Sequence, residues 1–276
     1  MADPSATRPE PGLPLIDTSR PSAARVYDYY LGGKDNYAAD REAGDRVLEA
    51  SPGAARAARD NRRYLGRVVR YLAGEAGIRQ FLDIGTGLPS GDNVHEVAQR
   101  IAPDARIVYV DNDPIVLSHA RALLTSSPAG ACDYIHADLR EPGKILEQAA
   151  QTLDFSKPVV LMLVAILHFI PHADDPGAIV AELVGALPKG SYLALSATSL
   201  NNLSVAQSAE LQVQYARTPS GGVTLRSAEE IARFFEGLQL VEPGLVDITK
   251  WRPAEGEKAE QQPGDAVLLG GIGSKS

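Results

Sequence analysis

The feature that most constrains the fold is an apolar run ending at an acid, and it occurs three times. Phe81-Leu82-Asp83-Ile84 runs into Gly85-Thr86-Gly87, Arg106–Val110 ends at Asp111, and Tyr134-Ile135-His136 is followed by Ala137-Asp138. Helix-like segments lie between the runs. Strands alternating with helices build a parallel sheet whose carboxyl ends share one edge. Two closely spaced glycines let the backbone turn tightly against a ligand at that edge, and an acid ending the next strand can accept both ribose hydroxyls. The chain therefore predicts an α/β fold with a nucleotide site.

The loop itself narrows the choice of nucleotide. A dinucleotide fingerprint needs a third glycine so that the next helix can close on the strand and aim its N-terminus at a pyrophosphate. That position is Ser90 here, and Pro89 removes a backbone N–H where a phosphate would want one. The loop suits an uncharged nucleoside with an amino-acid tail, whose cationic amine Asp83 can face. S-adenosylmethionine has that form. Asp138, after the third strand, can accept from an exocyclic amine such as adenine N6. Its other reading, as a cap for the helix that Glu141-Pro142 begins, is the ordinary one for a lone acid. Its place in a series of strand-end acids favours the ligand.

Three helices precede the sheet, at about Ser22–Leu31, Ala38–Ala50 and Ala54–Ala73, broken by Gly32-Gly33 and by Ser51-Pro52-Gly53. Strands are predicted at Gln80–Ile84, Arg106–Val110, Tyr134–His136, Val159–Val164 and Tyr192–Ser196. Helices at Asp92–Ile101, Pro114–Leu124, Pro142–Thr152 and Asp175–Leu187 separate them. Helices Leu203–Ala216 and Ala228–Leu238 follow. Two strands, Gly244–Lys250 and Ala266–Gly270, then flank the polar stretch Trp251–Asp265. The expected architecture is an open, Rossmann-like α/β sheet, mostly parallel, with an antiparallel C-terminal strand pair and an N-terminal helical cap. The predicted divisions are a Pro-rich mobile tail over 1–20, the cap over 21–77 and the core over 78–276, with cap and core forming one unit.

The order Asp-x-Gly-x-Gly, Val-Asp and Ala-Asp-x-Arg resembles class I S-adenosylmethionine-dependent methyltransferases. More narrowly, the chain is similar to an actinobacterial subfamily formerly known only as a domain of unknown function. That likeness rests on Ser22–Tyr37 (SAARVYDYYLGGKDNY), Asp83–Pro89 (DIGTGLP) and Leu167-His168-Phe169, and it runs from about Ser19 to the C-terminus. Pro89 departs from the general glycine loop but agrees with the narrower group. The resemblance implies S-adenosylmethionine as cofactor. It places Asp83, Gly85, Thr86, Gly87, Asp111, Asn112, Asp138 and Leu139 around it, and it favours a functional role for the segment that carries Tyr27, Gly33, Lys34 and Asn36. It implies no particular acceptor.

Elementary considerations limit the rest. With 276 residues the chain can bury a full core, and its one cysteine, Cys132, excludes a disulfide framework and reads as a small core residue. A formal net charge of −8 disfavours nucleic acid and anionic membrane as partners. No apolar run spans a bilayer, which predicts a cytoplasmic protein. No His/Asp/Glu set has metal-ligand spacing.

The sheet edge alone leaves a bound methyl group open to water, so the cap is the expected roof. Tyr27, Tyr30 and the Gly32–Tyr37 turn either serve that roof or form an ordinary interhelix turn. On the third helix Arg56, Arg59, Arg63, Arg67 and Arg70 form a stripe predicted to be solvated. Ala58, Asn61, Leu65, Val68 and Leu72 form the buried stripe, on which Asn61 must find polar partners, either as a structural hydrogen-bonder or by reaching into the site from the roof. His168 and Tyr30 are the candidate catalytic residues. His168 follows the fourth strand and is either a general base on an acceptor hydroxyl or part of the wall, the wall being favoured. His172 is a poorer candidate of the same kind. His95 and Glu96 read as helix-start residues, His119 as surface and His136 as strand.

The expected chemistry is direct displacement at the sulfonium methyl by a heteroatom of a small-molecule acceptor. Positioning alone can supply about 7–11 kcal/mol, so a strong base is optional. Two other readings remain: a non-catalytic S-adenosylmethionine or S-adenosylhomocysteine sensor, and a nicotinamide-dependent oxidoreductase, against which Pro89, Ser90 and the antiparallel C-terminal strands argue.

Overall fold

The alternating runs become one eight-stranded sheet in the computed structural model, which describes residues 17–123, 126–200, 209, 213, 222–256 and 267–276. Strands β1 (Gln80–Ile84), β2 (Arg106–Asp111), β3 (Ala131–His136), β4 (Val160–Val164) and β5 (Tyr192–Ser199) pair in parallel in the order β3-β2-β1-β4-β5. Two short strands follow, β6 (Gln239–Leu240) and β7 (Val246–Asp247), then the long β8 (Val267–Ser274). β8 lies antiparallel to β5 and pairs with both short strands. The mostly parallel sheet with an antiparallel C-terminal end is the predicted architecture. The strand order reverses between β1 and β4, and Asp83 and Asp111 sit beside that switch, where open sheets bind ligands.

Successive side chains of a strand face opposite sides, and both sides here are covered. Leu82, Ile84, Val108, Val110, Leu161, Leu163 and Leu195 pack under helices α6 (Pro142–Ala149), α7 (Pro176–Ala186) and α8 (Ala228–Arg233). Phe81, Ile107, Tyr109, Val160, Met162 and Ala194 pack under α3 (Ala54–Arg70) and α4 (Val94–Ile101). Helix α5 (Pro114–Leu123) lies between β2 and β3, and α1 (Ala23–Leu31) and α2 (Ala38–Ala50) pack with α3 in a separate cluster.

Helix α3 belongs to both layers. The predicted buried stripe is buried throughout, and the helix continues as a single π turn, Tyr71–Glu75. The arginine stripe needs one correction. Arg67 is buried, not solvated: its Nε donates to the Trp251 carbonyl at 2.9 Å and its Nη2 to that of Ile248 at 2.6 Å. Those carbonyls flank a 3-10 turn, Ile248–Lys250, in which Ile248 O also accepts from Trp251 N at 3.3 Å, and the buried guanidinium satisfies what the turn leaves open.

Element ends differ where local chemistry intervenes. Asp92 adopts φ 60°, so α4 begins after Asn93, which forms a capping box with Glu96. The predicted strand Gly244–Lys250 shortens to β7 because Asp247 accepts from Thr249 N at 2.9 Å and turns the chain. β8 instead runs past Gly270 to Ser274, since eight residues of β5 pair with it. Gly270 admits Tyr64 and Ile248, whose side chains would lie 2.8 Å from a Cβ there. Trp251 is fully buried, although it opens a stretch read as polar. The helix predicted at Leu203–Ala216, most of the polar stretch and the tail up to residue 16 lie outside the described residues.

Candidate cofactor site

At the carboxyl edge the glycine loop turns by left-handed backbone, with φ 77° at Gly85 and 68° at Gly87. Gly85 N donates to Val110 O at 2.8 Å, which holds the loop over the end of β2. A Cβ on Gly85 would lie 2.6 Å from the Ile166 side chain, so the position excludes any larger residue on two grounds.

Asp111 is bound into this loop. Its Oδ2 accepts from Gly87 N at 2.8 Å and its Oδ1 from Asp113 N at 2.9 Å. Each oxygen keeps further lone-pair capacity, enough for the two hydroxyls of a ribose. Burial pushes its carboxyl up to about 6 despite those bonds. Burial raises Asp83 to about 7, with Arg62 the main opposing influence. A buried carboxyl raised in this way gains by meeting a cation. Asp138 accepts from Asn112 Nδ2 at 2.8 Å and from Arg140 N at 2.9 Å, which fixes its carboxylate beside Leu139.

One cavity of about 650 Å³ collects these groups. Asp83, Gly85, Thr86, Gly87, Asp111, Asn112, Asp138 and Leu139 all line it, as do Tyr27, Tyr30, Asn61 and His168. Gly33, Lys34 and Asn36 do not. The Asn36 amide serves its own turn, donating to Asp28 Oδ2 at 2.8 Å and to Gly33 O at 3.1 Å, and Lys34 is exposed. Asn61 finds the partners its buried position demands. Its Nδ2 donates to the Tyr27 hydroxyl at 3.0 Å, its Oδ1 accepts from Ser196 Oγ at 2.7 Å, and Tyr27 in turn donates to Ala58 O at 2.9 Å. This network ties α1, α3 and β5 together. The Tyr30 hydroxyl donates to Gly44 O at 3.2 Å.

His168 is buried against Phe169, with its Nδ1 lacking a partner. Burial and the neighbouring Arg226 pull its pKa down to about 3, so the ring is neutral at physiological pH. His172 is exposed and lies 3.7 Å from Glu230, His95 is buried against Tyr109, and Glu96 caps α4. Cys132 is half-buried, and burial raises its thiol to about 11. Among the described residues no cluster could hold a metal ion and no helix is long and apolar enough to cross a membrane.

Sequence reasoning missed two contributors. Ser22 donates its hydroxyl to Asp113, joining the start of the cap to the loop after β2. Arg62 lines the cavity near Asp83. Its signal was available: at four residues after Ala58 and three before Leu65 it belongs to the buried stripe, not to the arginine stripe.

A mostly parallel sheet of this order, with a glycine loop and strand-end acids lining one cavity, defines a Rossmann-like protein. The family model for S-adenosyl methyltransferases matches residues 10–276, and the chain belongs to that family. It is similar to a DUF574 family protein from Streptomyces avermitilis, with 44% identity and a TM-score of 0.89 over 94% of this chain and 99% of that one. It is equally similar in sequence to a Thermobifida fusca protein described provisionally as a methyltransferase, at 44% identity and a TM-score of 0.86 over 97% and 98% of the two chains. The plantazolicin methyltransferase BamL, solved with S-adenosylhomocysteine, shares the fold at 14% identity and a TM-score of 0.53, over 92% of this chain and 96% of BamL. No curated protein sequence matches. The cofactor is S-adenosylmethionine, and the oxidoreductase reading is set aside.

Proposed function

We propose that the protein methylates a small-molecule acceptor, bound in the same cavity as the cofactor, by direct displacement. One observation carries this reading: the cavity runs past the strand-end acids of β1, β2 and β3 to Thr198 of β5, Leu268 of β8, and Val223 and Leu225, beneath Tyr30 and Val47 of the cap. The acids suffice for the cofactor. Leu268, Val223, Leu225 and Val47 give the rest of the lining an apolar character, the usual form of a small-molecule site, and the net charge of −8 argues against a nucleic-acid acceptor.

When bound, S-adenosylmethionine supplies an electrophilic sulfonium methyl group to the acceptor heteroatom. Asp83 and the Gly85–Gly87 loop hold the amino-acid tail, Asp111 holds the ribose, and Asp138 with Leu139 frames the adenine. The Tyr27–Asn61–Ser196 network fixes the roof, so the acceptor meets a preorganised surface. His168 forms part of the wall. A ring whose protonated form is disfavoured so strongly is a poor proton store, and we assign it hydrogen-bond acceptance and orientation. Rate enhancement then rests on positioning and exclusion of water.

The test is label transfer from methyl-labelled cofactor to dialysable metabolites of an actinobacterial extract. Label in a small molecule together with S-adenosylhomocysteine formation is expected. Label confined to macromolecules would contradict the reading.

Cofactor affinity should depend on pH. Asp83, near 7 without ligand, is mostly protonated at pH 5.5 and must ionise to meet an ammonium group. Asp111, near 6, acts in the same direction. Binding therefore releases protons at low pH, and affinity for S-adenosylhomocysteine should rise by more than about tenfold between pH 5.5 and 7. Calorimetry in buffers of different ionisation enthalpy measures both quantities. A flat profile with no proton release would place the tail amine away from Asp83.

A further inference from the structure

Among the described residues Arg62 is a cation with no carboxylate in a salt bridge to it. It leaves α3 half-buried and lines the cavity that holds Asp83 and the glycine loop. Its Nη2 is held by neutral acceptors only, Asn93 Oδ1 at 2.9 Å, Gly91 O at 3.3 Å and Ser90 O at 3.5 Å. Its Nε is buried with no hydrogen-bond partner, and among the described residues no carboxylate forms a salt bridge with it. A guanidinium that lines a cavity with no carboxylate paired to it is best satisfied by an anion entering that cavity, and a carboxylate is such a ligand.

We propose that Arg62 binds the carboxylate of the cofactor's amino-acid tail, while Asp83 takes the ammonium group; this rests on the cofactor placement given above. The two side chains carry opposite charge, line one cavity and do not pair with each other. A zwitterion with both charges on one carbon bridges such a couple and neutralises both. The electrostatics agree, since Arg62 is the main influence opposing the burial of Asp83. Asn93 is then a positioning residue. Its Oδ1 also accepts from Ser90 N at 3.1 Å, so the guanidinium is referenced to the loop that cradles the tail.

The experiment compares S-adenosylhomocysteine with 5′-methylthioadenosine, which keeps the nucleoside and lacks the amino-acid tail, by calorimetry on wild type, Arg62→Ala and Arg62→Gln. Wild type should prefer the ligand with the tail. Both variants should lose about tenfold or more of their affinity for S-adenosylhomocysteine and keep that for methylthioadenosine. Unchanged binding of the tail-free ligand also shows that the variants fold, and Arg62→Gln guards against a packing defect in the alanine variant. Equal weakening of both ligands, or of neither, overturns the assignment and leaves the cofactor reading intact. Failure of wild type to bind either ligand overturns both.

Discussion

Trp251→Ala should destabilise the protein by about 3–5 kcal/mol, the range for removing a buried aromatic side chain. Trp251 has no exposed surface, meets Tyr64 and Tyr71 edge-on at centroid distances of 5.7 and 6.0 Å, and packs in the cluster between α3 and the sheet. Its carbonyl is an anchor for buried Arg67. Truncation opens a cavity where Tyr64 reaches Leu195 O and Gly271 O, at 3.0 and 3.1 Å. The seam between α3 and β8 would loosen, and α3 carries both Asn61 and Arg62. Thermal melting should fall by roughly 6–20 °C for a chain of this size. Trp251→Phe should recover much of the loss. A change in stability below about 1 kcal/mol, the ordinary effect of a point mutation, would show that this seam does not hold α3.

Asp111→Ala should weaken binding of S-adenosylhomocysteine by about 1.5–3 kcal/mol, the worth of hydrogen bonds to a charged group. That is roughly 10- to 150-fold in affinity. The effect has two sources. The ribose loses its acceptor, and Gly87 N and Asp113 N lose theirs, so the glycine loop is less well held before ligand arrives. Asp111→Asn keeps one acceptor oxygen and should fall between the two. The loss should be common to S-adenosylhomocysteine and methylthioadenosine, because both contain the ribose, whereas Arg62 variants should separate them. Unchanged affinity in Asp111→Ala would remove the ribose from this position.

Much of this site was legible in the sequence because it is built from strand ends. A strand-end acid is fixed by its own local pattern, and Asp83, Asp111 and Asp138 come to one edge as soon as the strands are parallel neighbours. The glycine loop is local in the same way. What could not be read locally is which side chains cross from the cap. Tyr27, Asn61 and Arg62 line the cavity, whereas Gly33, Lys34 and Asn36 close a turn around Asp28. Glycine and polar residues in a tight turn look alike whether they serve a ligand or their own backbone. Arg67 was misread for a related reason. A helical stripe of arginines reads as solvated until the C-terminal turn that brings Ile248 and Trp251 carbonyls to it is known. The long β8 likewise owes Gly270 to packing against Tyr64 and Ile248, and Gly273 to packing against Leu238 and Phe235, which strand propensity does not encode.

The most direct measurement is calorimetric titration of the purified protein with S-adenosylmethionine, S-adenosylhomocysteine and NAD in parallel, with Asp111→Ala as control. Binding of the first two, weakened in the variant, with no binding of NAD, is the expected result. Binding of NAD alone, or cofactor binding indifferent to Asp111, would contradict the site described.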